Sequence, residues 1–226
     1  MGPAPDRASR GASLVWVLAA ALVGFAASFI FSSVLHWPRG WFVAAYSTTV
    51  ALFAAAYLYR ESIAPGSQLS RRWKGGAVVG LLAGLLLARS VASQPGSDRP
   101  LGSALVAASL WYGVAYGLAD AVLLSILPVL IVYGSRAPAE LSSAAGRLRW
   151  GALALLGSLF VTAAYHLGFA EFRGPQLVQP IIGNAIVTVA YLLSGNPLAA
   201  MVSHIIMHSA AVMHGMESTA QLPPHY

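Results

Sequence analysis

The chain has no cysteine among its 226 residues. That excludes a disulfide scaffold, a thiolate zinc site, a cysteine nucleophile and an iron–sulfur cluster. Charge is also scarce: Asp, Glu, Lys and Arg make up 9% of the residues, against about 25% in a soluble domain. So few charges cannot cover a water-facing surface. Disorder is excluded from the other side, because 58% of the chain is hydrophobic and disordered chains are poor in such residues. No HExxH motif and no GxSxG motif occurs, so neither a zincin helix nor serine hydrolase chemistry is signalled.

What remains is apolar, with a mean hydropathy of +0.70. A helix needs roughly 20 apolar residues to cross a hydrocarbon core of about 30 Å. Seven stretches meet or approach this length: Leu14–Leu35, Trp41–Tyr59, Gly75–Val91, Leu101–Tyr133, Trp150–Phe169, Val178–Leu193 and Pro197–Met213. The expected fold is an all-α polytopic transmembrane bundle, with residues 1–226 forming one integral membrane domain. Trp37, Trp41, Trp73 and Trp150 stand at span ends, where interfacial anchors belong. The first run extends to Leu35, longer than a signal-peptide core, and reads as an uncleaved span.

The run Leu101–Tyr133 is long enough for one element or two. Thirteen Lys and Arg against seven Asp and Glu give a net charge of +6. These basic residues lie between apolar runs, where they report topology and not a nucleic-acid partner. With one element and the N-terminus inside, nine fall in inner segments and four in outer ones; splitting the run leaves seven against six. One long or kinked element is therefore expected, with Trp111 marking its entry and Leu101–Leu110 along the interface. Gly76, Gly80 and Gly84, and then Gly113 and Gly117, recur every fourth residue. Small residues at that spacing let helix backbones approach closely.

Ionisable residues at membrane depth are costly and become functional candidates by default. Asp120 is the only charge between Arg99 and Arg136, His166 lies late in the fifth span, and His204 and His208 lie in the seventh. Arg89 and Glu171 are near span ends, where snorkelling accounts for them, and His36, His214 and His225 sit at ends or in the tail. His204 and His208 are four residues apart, so both imidazoles project from one helix face. Two readings are open for this pair: nitrogen ligands to one metal ion, or polar core residues bonded to neighbouring helices. At about 1.5 Å per residue, Asp120 and His208 both fall about 13–14 Å below the outer boundary, and His166 falls roughly 6 Å below it. Asp120 is expected to face the bundle interior.

At these residues the chain resembles the CPBP group, the CAAX-protease and bacteriocin-processing family of intramembrane metalloproteases. Ser194-Gly-Asn-Pro-Leu-Ala-Ala-Met-Val-Ser-His204 resembles the approach to the family's third motif, with His208 where it has Asn. Thr162-Ala-Ala-Tyr-His166 resembles its second motif, with Thr162 in place of Phe. Asp120, in Gly117-Leu-Ala-Asp120-Ala-Val, lies where the first motif would be sought. There the family has a Glu pair with a later Arg; here Ala119 precedes Asp120 and no arginine follows at that distance. The resemblance covers Leu101–Met213. It implies metal-dependent hydrolysis, with a divalent metal such as zinc held by His166, His204 and His208, and Asp120 and His166 as catalytic groups. An aspartate is one methylene shorter than the family's glutamate, which bears directly on peptide-bond hydrolysis because catalytic placement is exacting.

Three functions from different classes follow. The first is an intramembrane metal-dependent endopeptidase acting on a membrane-associated peptide or protein. The second is a noncatalytic relative that keeps the fold as a binding or scaffold protein among the lipids. The third is a transport or haem-binding role for the histidines, without a CxxCH or transport signature behind it. The abundance of Ala, Gly and Arg points to a bacterial cell membrane.

Overall fold

The computed structural model describes residues 10–134, 136, 138–217 and 221–223. Arg7 and His225 lie outside them. The described residues form helices joined by short loops, with no strand among them. Helix α1 (Arg10–Ser28) continues as a π-helical turn over Phe29–Val34, and α2 spans Arg39–Arg60. A short α3 (Pro65–Ser70) precedes α4 (Trp73–Ala92). One 33-residue element, α5 (Gly102–Gly134), follows, then α6 (Ala144–Leu167), α7 (Val178–Ser194) and α8 (Leu198–His214). Six of these elements are long and apolar enough to cross a membrane, and α8 is a shorter apolar helix. The chain is thus a bundle of about seven spans, and the run from Leu101 to Tyr133 is one of them.

The helices alternate in direction. At one end Trp16 of α1 donates to Glu61, just past α2, and Asn196, before α8, donates to the carbonyls of Gln68 and Leu69. At the other end Ser28 donates to the carbonyl of Tyr165 in α6, and Trp111 of α5 donates to that of Gly40 in α2. The outward faces carry apolar side chains: Leu52 is 68% exposed and Leu193 77%. Such faces suit lipid, which satisfies apolar side chains at no cost. Trp41 and Trp73 are exposed at span ends, whereas Trp150 is buried under the Arg136 guanidinium, 3.6 Å from its ring. Trp150 is therefore a packing residue and not an anchor in contact with lipid.

Two glycines decide how α8 sits. A Cβ at Gly80 of α4 would come within 2.7 Å of the carbonyl oxygen of Ala199, and one at Gly117 of α5 within 3.1 Å of the Cα of Ile205. The first is closer than real Cβ atoms come, so a larger residue at Gly80 would push the backbones apart. The second is tighter than most, so a side chain at Gly117 would need α8 to give by a few tenths of an ångström. The second contact falls beside His204, and it draws the middle of α5 against the histidine-bearing turn of α8.

Alternating helices imply that the loop before α6 and the segment after α8 emerge on opposite sides of the membrane. Reporter fusions at Gly146 and at Gln221 are expected to localise to opposite compartments, with the Gly146 side cytoplasmic on the basic-residue count. Finding both reporters on one side would sink this topology.

Candidate metal centre

Helix α5 is not regular. Its residues Ser109–Ala115 and Ala121–Ile126 are π-helical, and between them lies one α-helical turn, Tyr116–Asp120. Widened turns of this kind recur at functional sites, because they re-aim the side chains beside them. Asp120 sits at the junction, 3% exposed. It faces the bundle interior, and both of its carboxylate oxygens are engaged. Oδ1 accepts a hydrogen bond from Tyr46 Oη of α2 at 2.8 Å, and Oδ2 lies 3.1 Å from His208 Nε2 of α8.

His204 and His208 stack at 5.8 Å between ring centroids, on one face of α8 as the four-residue spacing requires. Asp120, His204 and His208 each offer a ligand atom, and these atoms lie within 4.8 Å of one another. This is a buried group able to hold a metal ion. With Asp120 Oδ2 accepting from Nε2, His208 carries its proton there and Nδ1 keeps a lone pair. That Nδ1 has no hydrogen-bond partner, and neither nitrogen of His204 has one, although both side chains are almost fully buried. A buried polar group without a partner costs about 1–3 kcal/mol. One nitrogen of His204, with His208 Nε2 and Asp120 Oδ2 where an ion takes the place of the hydrogen bond between them, would give a divalent ion two imidazoles and one carboxylate, a common donor set with an open position.

The structure places His166 differently. It lines the same cavity but lies outside the close Asp120–His204–His208 group. Its Nδ1 donates to the carbonyl of Thr162, one helical turn earlier, at 2.8 Å. That bond fixes the tautomer and leaves Nε2 as the acceptor nitrogen. Its ring packs edge-on against Tyr165 and Phe172.

Compared with known proteins, the chain matches no family model, no curated protein and no solved structure.

The cavity above the centre has a volume of about 560 Å³, within the range of small-molecule sites. Its floor holds Asp120, His204, His208 and Tyr116, and its walls are Leu86 and Leu87 of α4, Ile182 and Ile186 of α7, and Met207 of α8. Among the described residues Asp120 is the only carboxylate lining it, and no Lys or Arg does.

Two groups of supporting residues escape a reading by motif. The first is aromatic: Tyr46 stacks on Tyr165 at 4.9 Å, Tyr116 Oη and Tyr165 Oη are 2.8 Å apart, and the Tyr116 ring lies 4.7 Å from that of His208. The second is a polar shelf joining α5, α6 and α7. Asn184 donates to Ser158 Oγ at 2.9 Å and Thr162 Oγ1 at 2.6 Å, while Ser125 donates to Asn184 Oδ1 at 2.7 Å. Thr162 belongs to this shelf and its carbonyl holds His166, so the shelf fixes the second histidine helix. The available signal was an asparagine inside an apolar run, and tyrosines inside otherwise aliphatic spans.

Proposed function

We propose that this protein is an intramembrane metal-dependent hydrolase of the CPBP kind in a bacterial cell membrane, acting on a membrane-associated peptide or protein. The observation that carries the reading is the buried Asp120–His204–His208 group, with both ring nitrogens of His204 unpartnered, at the foot of an apolar cavity. It is supported by the position of His166 on that cavity, since the resemblance rests on residues far apart in sequence that must face a common space. Asp120, His204 and His208 would hold the ion, and zinc suits the nitrogen and oxygen donors. A bound divalent ion would supply Lewis acidity and a water of lowered pKa.

The protein's own groups have separable tasks. Tyr46 donates to Asp120 and holds the carboxylate against rotation. His166, with Nδ1 committed to Thr162, offers Nε2 to the cavity as an acceptor for a proton. The leucine and isoleucine walls exclude bulk water, which strengthens each electrostatic contact inside.

The test is cleavage of a quenched fluorescent peptide with an apolar, membrane-spanning centre, reconstituted with the protein in liposomes. Cleavage that stops on chelation, returns with zinc and is absent in His166→Ala supports the hydrolase. Bound metal without cleavage of a broad peptide set would instead favour the noncatalytic relative.

A further inference from the structure

At the end of the bundle where α2 starts and α8 stops, Arg39 is 5% exposed. A buried guanidinium is costly and normally meets a carboxylate. Here Nε donates to the carbonyl of Pro223 and Nη1 to that of Met216, both at 2.7 Å. Both acceptors are main-chain oxygens of the segment that follows α8. The same segment is tied to the end of α4 and the loop after it. Gln94 donates to Gln221 Oε1 at 3.1 Å, His214 Nε2 donates to the Gln94 carbonyl at 2.7 Å, and the Glu217 amide donates to Ser97 Oγ at 3.0 Å.

The segment does not merely lie on the surface. Leu222 is 4% exposed and packs into a socket of Val91, Ala108, Ala211 and Val212, with Met207 against the same cluster. Gln221, Leu222 and Pro223 also line the cavity above Asp120 and the histidines. Arg39 thus holds the main chain of this turning segment through two carbonyls, and the socket holds one aliphatic side chain. Carbonyl recognition is independent of side-chain identity, and the socket supplies the selectivity.

We propose that Arg39 and the Val91–Ala108–Val212 socket form a peptide-binding subsite at the cavity mouth, occupied in cis by Gln221–Pro223. In this state the chain's own segment closes the cavity, and a peptide with an aliphatic residue gains entry by taking its place. The inference uses the cavity and not the metal, so either this proposal or the hydrolase reading can fail alone.

The absence of cysteine from the chain allows a clean test. Met207→Cys places one thiol in the cavity of the full-length protein, to be labelled with N-ethylmaleimide and quantified by mass spectrometry. Adding Leu222→Ala, which alters no spanning helix, is expected to speed labelling at least tenfold, and Arg39→Gln to do the same. In a separate protein that also carries Met207→Cys, Gln94→Cys with Gln221→Cys should cross-link on oxidation and slow labelling of the residue-207 peptide below the starting rate, with reduction restoring it. The blocked, neutral peptide acetyl-Gly-Gln-Leu-Pro-Gly-amide should then protect Met207→Cys in the Leu222→Ala protein, and protect it far less when Arg39→Gln is also present. Equal labelling in the open, substituted and cross-linked proteins overturns the closure. Fast labelling that the peptide does not slow overturns the subsite.

Discussion

Zinc-loaded protein is expected to carry close to one ion per chain by elemental analysis, and His204→Gln or His208→Gln to carry almost none at the same free zinc. Both imidazoles are buried and each offers one ligand atom beside Asp120, so each substitution removes a donor that nothing nearby replaces. Loss of a supporting residue around a metal typically weakens affinity about 10–100-fold, and loss of a direct ligand should exceed the upper end of that range. The loss should also appear in stability. Metal at about one hundred times its dissociation constant adds about 2.7 kcal/mol to the folded state, roughly 5–10 °C in melting temperature for a chain of this size. Zinc should therefore raise the melting temperature of the parent in detergent and leave both variants unmoved. If the histidines are only polar packing residues, glutamine keeps a hydrogen-bonding group in each place and neither metal content nor melting temperature responds. A parent without stoichiometric metal after zinc is supplied removes the hydrolase reading.

Asp120→Asn should abolish metal binding while the protein still folds, and Tyr46→Phe should weaken it about 10–100-fold. The asparagine keeps the shape of the side chain but discards the charge and turns one of two accepting oxygens into a donor. It would then meet Tyr46 Oη or His208 Nε2, both of which donate toward Asp120. Tyr46→Phe is the finer test, because it removes one oxygen from a ring that stays stacked on Tyr165 and Phe42. Zinc titration of the two variants separates a role in orienting the carboxylate from a role in packing. Tyr46→Phe with unaltered zinc affinity assigns the tyrosine to packing alone, and Asp120→Asn with full metal content excludes the carboxylate from the centre.

How much of this was open to reading from the residues depends on the range of the interaction. Membrane character follows from composition, since a chain with 9% charged residues has no other stable solvent. The spans follow because each must be apolar over a length set by the hydrocarbon thickness. Even the single α5 was legible, through the distribution of basic residues on either side of it. The pairing of His204 with His208 is local as well: four residues make one helical turn, wherever the helix is placed.

The partners of that pair are another matter. Asp120 and His208 are 88 positions apart, and Tyr46 lies 74 positions from Asp120. Their meeting depends on α5 touching α8 at Gly117 and on the π-turns that re-aim Asp120. No single helix contains that information. The depth arithmetic brought Asp120 and His208 level because rise per residue is fixed, but it could not give the rotation of either helix. Tyr46, Tyr116, Tyr165 and Asn184 were hidden for a related reason: in an apolar run each looks like filler until its hydroxyl or amide finds a partner on another helix. Nothing local marks Arg39 either, since its two acceptors follow α8 at the far end of the chain. The sequence by itself determined the solvent, the number of spans and the face that carries the histidines, because these are set by composition and short-range periodicity. Only the tertiary structure decided which groups converge on that face and what lines the cavity above it, because those depend on helix rotation and on contacts between segments far apart in the chain.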